Sequence, residues 1–229
     1  MNVSVIIPCL NEEQTIGGVI EEFYSSLPEA KIYVLDNNST DNTRGVSIAH
    51  GVSVINIVKP GKGAAVREGI REILSIDNHW TDAFIMVDGD MTYKASDAIE
   101  LIEYAERESV DVVVGDRISS GYYKNENNRL FHNNGNHLVC KLVNKLYGSS
   151  YKDVMSGYRL LTREFAENFT PRYDGFELET EMSIYCVVNG FSVKEIPVSY
   201  RDRPHGSSSK LNTVKDGMKV LRLVIRHRL

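Results

Sequence analysis

The sequence lacks an apolar run that approaches the roughly 18 consecutive residues needed for a membrane-spanning helix. Its amino terminus, Met-Asn-Val-Ser-Val-Ile-Ile-Pro, has neither the basic segment nor the apolar core of a signal peptide. We therefore expect a cytoplasmic protein. If the protein meets a membrane, we expect it to lie on the cytoplasmic face rather than to pass through the bilayer.

Cysteine is scarce, and histidine shows no clustering. The three cysteines, Cys9, Cys140 and Cys186, are odd in number and far apart, so neither a disulfide framework nor a zinc spacing is present. The six histidines likewise have no spacing typical of a metal site. These patterns favour a protein of a reducing compartment that does not depend on a zinc centre.

Positive charge is also in short supply over most of the chain. The net charge is −5, which argues against a general nucleic-acid-binding surface, and we expect no nucleic-acid partner. However, residues 210–229 hold six basic side chains and one acidic one, a net +5, which leaves −10 for residues 1–209. A basic end on an acidic body indicates a separate electrostatic role for that end.

Two common nucleotide-binding motifs are missing. No G-x-G-x-x-G follows the first predicted strand, where Pro8-Cys-Leu-Asn-Glu12 stands instead, and the chain has no Walker A motif. A classical dinucleotide-binding fold and a P-loop are therefore excluded. Any nucleotide site must be of another kind.

The apolar pattern predicts strands that alternate with helices over residues 1–117. This alternation is typical of a doubly wound, mostly parallel α/β sheet flanked by helices. The predicted strands cover residues 3–8, 31–35, 52–58, 83–87, 110–115 and 193–200, with one further short strand before residue 163. The predicted helices begin with Asn11 as an N-cap and continue at about 61–75, 95–107, 136–147, 163–169 and 177–189, with an amphipathic helix at the end. Residues 118–135 are predicted to form a long functional or mobile loop.

Carboxylates follow several of these strands. The run Phe84–Val87 leads into Asp88-Gly89-Asp90, and Asp36 and Asp116 end two other strands. Ligands of open α/β sheets bind at the carboxyl ends of the strands. If Gly89 lets the backbone turn, both carboxylates can face one point and hold Mg²⁺ or Mn²⁺ with substrate phosphates. Two alternatives stay open, since Asp36 could bind a base or ribose and Asp116 could pair with Arg117.

Seven motifs occur in an order that resembles one known family. They are Val5-Ile-Ile-Pro8 with Asn11-Glu12, Leu35-Asp36 with the turn at 39–43, Gly61-Lys-Gly63-Ala-Ala65, Asp88-Gly-Asp90, Gly115-Asp-Arg117, Asp153-Val-Met-Ser-Gly-Tyr-Arg159, and Arg203-Pro-His-Gly-Ser-Ser-Ser-Lys210-Leu. Together they resemble family-two glycosyltransferases of the dolichol-phosphate mannose synthase type. The resemblance implies a GT-A fold, a UDP- or GDP-sugar donor, Mg²⁺ or Mn²⁺, and inversion at the anomeric carbon.

The resemblance also implies roles for particular residues. Donor-binding residues would be Pro8, Leu10, Asn11, Glu12, Asp36, Asn38, Lys62, Gly63, Asp88, Gly89 and Asp90. Asp88 and Asp90 would be the metal ligands, with Asp90 the principal one. Phosphate on the donor or acceptor would meet Arg117, Arg129, Arg203 and Lys210, and the acceptor or sugar pocket would be shaped by Asp153 and Ser156. The alternative for each of the four basic residues is an ordinary surface charge.

Two further features concern the acceptor. Glu179 could act as a general base or a sugar contact, whereas a solvated acidic first turn containing Glu177 and Glu181 is the alternative. In the last helix, apolar residues step by 4, 3 and 4 beside basic residues with the same steps. The apolar series is Val214, Met218, Leu221 and Ile225, and the basic series is Lys215, Lys219, Arg222 and Arg226. Such a helix either packs on the body or lies in a lipid interface.

The predicted organisation has a glycosyltransferase domain at residues 1–209 and a basic amphipathic helix at 210–229. Within the domain, residues 1–117 form a nucleotide-binding half and residues 118–209 an acceptor-side half. We expect sugar transfer to a polyprenyl phosphate. Transfer to a soluble or cell-surface glycan is the alternative, and binding of a nucleotide sugar without turnover is a third possibility that the Asp88/Asp90 pair argues against.

Overall fold

The computed structural model describes residues 1–119, 130–204 and 210–226, without the side chains of residues 130–134, 213 and 214. Over these residues the strands are β1 (Val3–Cys9), β2 (Lys31–Asp36), β3 (Ser53–Asn56), β4 (Ala83–Met86), β5 (Val112–Asp116), β6 (Arg159–Thr162) and β7 (Val193–Pro197). The helices are α1 (Ile16–Ser26), α2 (Thr43–Ala49), α3 (Lys62–Ile76), α4 (Asp97–Glu108), α5 (Leu130–Tyr147), α6 (Arg163–Asn168), α7 (Leu178–Asn189) and α8 (Thr213–Arg226).

The strands form one sheet in the order β3-β2-β1-β4-β6-β5-β7. β6 runs antiparallel to both of its neighbours, and the other pairs are parallel. Two apolar layers cover the sheet. One contains buried side chains of α1 and α4, and the other contains those of α3, α6 and α7. The predicted doubly wound, mostly parallel α/β sheet is therefore confirmed.

Pro8 does not end β1, contrary to the sequence prediction. Pairing with β4 stops at Ile6 and Met86, whereas pairing with β2 continues to Cys9 and Asp36. Proline has no N–H to donate, so its effect is confined to one side of the strand. β1 consequently carries the chain one residue further toward the edge where the acids gather.

The start of α1 also differs from the prediction. Asn11 is not the N-cap: its backbone has a φ of 54°, and its Oδ1 accepts a hydrogen bond from the backbone N–H of Thr40 at 2.8 Å. The helix instead begins at Ile16, with Thr15 in the cap position. Because Asn11 bonds across to the turn after β2, its side chain is not available to the first turn of α1. The helix α2, which follows that turn, was not predicted.

The carboxyl-terminal helices form a third apolar cluster. Side chains of α8 pack against α5 and α7, and the buried members on α8 are Val220, Leu223 and Val224. α5 begins at Leu130, so the predicted loop is shorter than 118–135. The apolar series proposed from the sequence is not the buried one, since Met218 is 62% exposed and Ile225 59%. In the part of the chain that the structure describes, no helix has both the length and the apolar character to span a membrane.

Candidate active site

The carboxyl ends of β1, β2, β4 and β5 lie at one edge of the sheet, because these strands share one direction. This edge brings together Asp36, Asp88, Asp90 and Asp116, as the strand pattern predicted, and Glu12 lies beside them. Most of these acids are buried, and Asp90 is 2% exposed. Buried carboxylates need partners that compensate for lost water, and the neighbouring side chains supply them.

Asp90 is held from two sides. Its Oδ1 accepts hydrogen bonds from the Thr92 hydroxyl at 2.6 Å and the Thr92 N–H at 3.1 Å, while its Oδ2 lies 2.5 Å from Arg203 Nη2. The turn that makes this possible falls at Met91, whose φ is 61°, and not at Gly89 as expected. Gly89 is required for a different reason, since a Cβ there would stand 2.6 Å from Cys9 Sγ.

Asp88 lies against Lys62, with 2.5 Å between Asp88 Oδ1 and Lys62 Nζ. Burial opposes ionisation of Asp88, but the ammonium of Lys62 outweighs it and holds the pKa of the carboxyl below its ordinary value. Gly157 leaves the space that Asp88 occupies, because a Cβ at Gly157 would be 2.6 Å from Asp88 Oδ2. The carboxylate is thus ionised and fixed in place.

Glu12 connects the first strand with the carboxyl-terminal part of the chain. Lys210 Nζ lies 2.7 Å from Glu12 Oε1 and donates to the Asn11 carbonyl at 2.8 Å. Arg203 approaches the same Glu12 carboxylate at 3.7 Å. Arg203 and Lys210 therefore both lie over the acidic edge, although their distance along the chain from β1 and β4 is large. Residues 205–209, which join them, lie outside the described residues.

The turn after β2 is closed by one local hydrogen bond and by two bonds to the segment at residues 59–61. Asp36 Oδ1 accepts from the Ser39 N–H at 3.2 Å, and the neighbouring Asn37 side chain donates to the Lys59 carbonyl at 2.7 Å and accepts from the Gly61 N–H at 2.6 Å. An amide can donate and accept at once, which suits Asn37 to this double role. Around this turn, Asn38 is exposed, Pro8 is half-buried and Leu10 is 39% exposed.

Asp116 caps the turn after β5. Its Oδ1 accepts from the N–H groups of Ile118 at 2.7 Å and Ser119 at 3.1 Å. The guanidinium of Arg117 instead makes a bidentate pair with Asp153, with distances of 2.7 Å and 2.8 Å. The sequence left open whether Asp116 is an acid of the metal edge or a partner of Arg117. The structure pairs Arg117 with Asp153, and the hydrogen bonds of Asp116 give it a backbone-capping role.

Asp153 and Ser156 are fully buried. Burial opposes ionisation of Asp153, but Arg117 and Asn136 hold the pKa of its carboxyl below the ordinary value. Asn136 donates to Asp153 at 2.7 Å. Ser156 Oγ accepts from the Tyr158 N–H at 3.3 Å. The structure thus places both side chains in the interior, where Asp153 positions Arg117 and Ser156 supports a turn. Direct contact with an acceptor stays a prediction, and Arg129 lies outside the described residues.

The first turn of α7 is not solvated, so that alternative is wrong. Glu177, Glu179 and Glu181 are all buried. Glu181 accepts from the N–H groups of Arg172 at 2.9 Å and Tyr173 at 3.3 Å, and burial raises the pKa of its carboxyl. Glu179 Oε1 instead lies 2.5 Å from Lys62 Nζ. Lys62 therefore connects Glu179 to Asp88.

Sequence reasoning missed the roles that several residues play in building this site. Thr92 orients Asp90, Gly157 makes room for Asp88, and Asn136 helps to hold Asp153. Thr92 and Gly157 lie inside or next to motifs that the sequence displays, so position offered a signal for them. Asn136 lies within a helix and has no such signal.

The acids at this edge fit a divalent cation only in combination with a ligand. Among residues 1–119, 130–204 and 210–226, no three Asp, Glu, His or Cys side chains gather as a metal-binding group. Asp88 and Asp90 offer two carboxylates, each already attracting a cationic side chain. Mg²⁺ and Mn²⁺ sites commonly use one or two carboxylates and complete their shell with phosphate oxygens and water. This donor set fits such an ion bound together with a diphosphate.

Comparison with known proteins agrees with this geometry. Residues 4–170 match Glycosyl transferase family 2. Glycosyltransferase AglJ of Haloferax volcanii is 34% identical over 217 residues, covering 94% of this chain and 68% of the relative. Dolichyl-phosphate hexose transferase of the same organism is 25% identical, covering 98% of this chain and 93% of the relative.

A solved structure shows the same fold. Glucosyl-3-phosphoglycerate synthase of Mycobacterium tuberculosis, in complex with Mn²⁺, UDP and glucosyl-3-phosphoglycerate, superposes with a TM-score of 0.74 at 20% identity. The match covers 99% of this chain and 79% of the synthase. The fold is accordingly the GT-A fold. The chain belongs to glycosyl transferase family 2 and is a glycosyltransferase.

Proposed function

We propose that the protein transfers a sugar, with inversion, from a nucleotide-diphosphate sugar to a polyprenyl phosphate. The observation that supports this most is the convergence of Asp88 and Asp90 with Arg203 and Lys210 at the carboxyl edge of the sheet. Acids that can share a cation thus stand beside basic groups that can bind phosphate. The family membership supplies the reaction class.

The donor would occupy the acidic edge. Asp36 and Glu12, at the ends of β2 and β1, are the proposed contacts of the base and ribose. Arg203 is the proposed diphosphate contact, since a guanidinium matches the geometry of phosphate oxygens. For Arg203 to serve the diphosphate, its pair with Asp90 must be exchanged or shared when donor binds.

Asp88 and Asp90 would hold the divalent ion, either Mg²⁺ or Mn²⁺. When bound, this ion supplies positive charge that stabilises the diphosphate leaving group. The chain itself prepares the site, because Thr92 orients Asp90 and Lys62 keeps Asp88 ionised. The Mn²⁺ and UDP of the mycobacterial synthase complex support this proposal.

In the reaction, an acceptor oxygen forms the new bond to the anomeric carbon while the bond from that carbon to the donor diphosphate breaks. A lipid phosphate is already anionic at neutral pH, so it needs no general base, whereas a hydroxyl acceptor does. Glu179, which the sequence offered as a general base or a sugar contact, is paired with Lys62. This pairing, together with the name of the dolichyl-phosphate relative, favours the phosphate acceptor.

A surface of α8 supports a membrane location for that acceptor. The described exposed side chains of this helix are four basic and two apolar ones: Lys215, Met218, Lys219, Arg222, Ile225 and Arg226. Its acid, Asp216, is buried and pairs with Lys219 at 2.9 Å. A face with this composition is typical of helices that lie on anionic lipid. We propose peripheral contact with the cytoplasmic face of a membrane through this helix.

The acceptor class is tested by product partition. Purified protein is given labelled UDP- and GDP-sugars, Mg²⁺ or Mn²⁺, and either a polyprenyl phosphate or a soluble glycan. Label that moves into an organic-extractable lipid phosphate supports the proposal. Label in a water-soluble product alone would replace it with the glycan acceptor, and donor binding without any transfer would favour a binding protein.

The donor is identified by a thermal-shift panel of nucleotide sugars. A ligand that binds the folded state raises the melting temperature in proportion to the logarithm of its concentration over Kd. We expect the largest shift with a UDP- or GDP-sugar, and a larger one when Mg²⁺ or Mn²⁺ is present. Equal shifts with and without the ion would contradict the proposed metal site.

A further inference from the structure

We propose that Lys62 is a positioning residue that holds the donor side and the acceptor side of the site in register by pairing with Asp88 and Glu179 together. The inference rests on the proposed function for the donor-side role of Asp88, and it takes Glu179 as the contact of the sugar or acceptor that is expected from the sequence. The sequence placed Lys62 among the donor-binding residues. The structure instead gives its ammonium group two carboxylate partners.

The contacts of Lys62 are short and shielded. Its Nζ lies 2.5 Å from Asp88 Oδ1 and 2.5 Å from Glu179 Oε1, and its side chain is 11% exposed. Asp88 follows β4, Glu179 lies in the first turn of α7, and Lys62 begins α3. One nitrogen thus joins three elements. Because charged hydrogen bonds gain strength away from water, this pairing can fix both acids.

The backbone of Lys62 is fixed relative to α7. The N–H groups of Gly63 and Ala64 donate to the carbonyls of Gly175 and Asp174, at 3.2 Å and 3.1 Å. Glycine is required on both sides of the lysine, since a Cβ at Gly61 or Gly63 would overlap a carbonyl oxygen of residues 173–174. Gly61 also has a φ of 118°, which side chains disfavour. The Gly-Lys-Gly motif therefore docks α3 onto the segment that leads into α7.

A second lysine of the same segment does not share this arrangement. Lys59 pairs with Asp174 at 2.8 Å, but its side chain is 53% exposed. Its pair therefore lies at the surface, where an ion pair contributes little. Lys59 offers a matched control, because Lys59→Met removes an ion-paired lysine close in sequence without touching Asp88 or Glu179.

The experiment compares UDP affinity with and without Mn²⁺, measured by calorimetry, for the wild type and Lys62→Met. Loss of an outer-shell partner commonly weakens metal affinity about 10-fold. We therefore expect Lys62→Met to reduce the Mn²⁺-dependent gain in UDP affinity about 10-fold, while UDP affinity without metal changes less than about twofold. Lys59→Met should match the wild type in its UDP affinity without metal and in the gain that Mn²⁺ adds. Equal weakening with and without Mn²⁺ would instead make Lys62 a direct ligand of the donor and overturn the inference.

A double-mutant cycle tests the acceptor side. Misplacement of a group that orients a substrate can reduce kcat about 100-fold, and we expect an effect of this order in both Lys62→Met and Glu179→Gln. If Lys62 acts through Glu179, the double variant should be no slower than the slower single variant. Additive effects on kcat would refute the coupling. Lys62→Arg keeps the positive charge, so it should recover part of the Mn²⁺-dependent gain in UDP affinity that Lys62→Met loses. A folded Lys62→Arg variant whose gain is no larger than that of Lys62→Met would count against the pairing.

These readouts separate this inference from the proposed function. UDP binding needs no acceptor, so it decides the role of Lys62 on Asp88 even if the lipid phosphate proves to be the wrong acceptor. The cycle can then be measured with whichever acceptor receives label. The melting temperature of each variant shows whether a loss reflects unfolding. Glu179→Gln and Lys62→Arg are conservative changes that keep a polar side chain of similar size at each buried position.

Discussion

Arg203 Nη2 lies 2.5 Å from Asp90 Oδ2. The pair joins the segment after β7 to the end of β4, and it puts a guanidinium on the second acid of the Asp88-Gly-Asp90 motif. In a chain with a net charge of −5, this basic group lies at the edge that we propose for the donor diphosphate. The pair gives the first two predictions.

Asp90→Asn should strongly reduce metal-dependent transfer. The substitution keeps the shape of the side chain but removes the charge that would hold the ion, and loss of one group that stabilises transition-state charge commonly reduces kcat by about 10²–10³. Steady-state transfer measured over a range of Mn²⁺ concentrations checks it. Asp82→Asn is the control, since Asp82 is exposed and lies just before the first residue of β4, at the end of the strand away from Asp90. Unchanged activity in Asp90→Asn would refute the site.

Arg203→Met should weaken donor binding. A hydrogen bond to a charged group contributes about 1.5–3 kcal/mol, so the expected loss of affinity is about 10- to 100-fold. Calorimetry with the nucleotide sugar measures it. Arg201→Met is a close control, because Arg201 pairs with Glu22 at 2.6 Å and lies two positions earlier. Equal losses in the two variants would indicate a general effect of the segment rather than a phosphate contact.

The exposed face of α8 should bind anionic vesicles. Each basic residue near an anionic surface contributes about 1 kcal/mol, so the double reversal Arg222→Glu with Arg226→Glu should weaken partitioning by more than about tenfold. Cosedimentation with phosphatidylcholine vesicles, with and without phosphatidylglycerol, measures it. The control reverses Arg71 and Arg107, which are exposed on α3 and α4. Equal partitioning of the wild-type protein to vesicles with and without phosphatidylglycerol would rule out this contact.

Asp77 should contribute stability that depends on pH. Burial opposes its ionisation, but hydrogen bonds from Thr81 and the guanidinium of Arg163 prevail and hold the pKa of Asp77 below its ordinary value of 3.8. A lowered pKa in the folded state stabilises the protein above the unfolded pKa, and this stabilisation is lost as pH falls through the folded pKa. Asp77→Asn should therefore have a lower free energy of unfolding at neutral pH. The deficit should shrink below about pH 4 in urea titrations; a deficit that stays constant with pH would contradict it.

The three thiols should be inert in the folded protein. Burial raises the pKa of Cys140 to about 12 and that of Cys186 to about 12, and it raises the pKa of Cys9 well above the ordinary value. Since the thiolate is the reactive form, a thiol reagent at neutral pH should label none of the three in buffer and all three in urea. Rapid labelling without denaturant would show that one of these sites opens.

Some features followed from local pattern alone. The acids Asp36, Asp88 and Asp90 could be placed at one edge, because strands that alternate with helices run parallel and end together. The apolar residues of α1 from Ile16 to Phe23 have helical spacing, which predicts one apolar face, and they are the buried residues of that helix. These predictions held because each depends on the order of residues within one element and on a direction shared by neighbouring strands.

Other features depended on how elements far apart in sequence meet. Asn11 looked like a helix cap, but a bond to Thr40 across the site gave it another role. The apolar residues of α8 occupy more than one face, and its packing against α5 and α7 decided that Val220 is buried and Met218 is not. Local periodicity carries no information on which distant element packs against a segment. The role of Asn11 and the buried face of α8 could therefore not be predicted from their own segments.

The sequence by itself determined the family, the type of sheet and the edge where the acids gather, since all three are expressed in ordered motifs and short periodic runs. Only the tertiary structure decided which charges pair. Lys62 meets Asp88 and Glu179, and Arg203 meets Asp90, because docking of α3 on the segment before α7 and the return of the chain after β7 bring them within hydrogen-bond distance. Electrostatic attraction acts over a few ångströms in space, and distance along the chain does not set it.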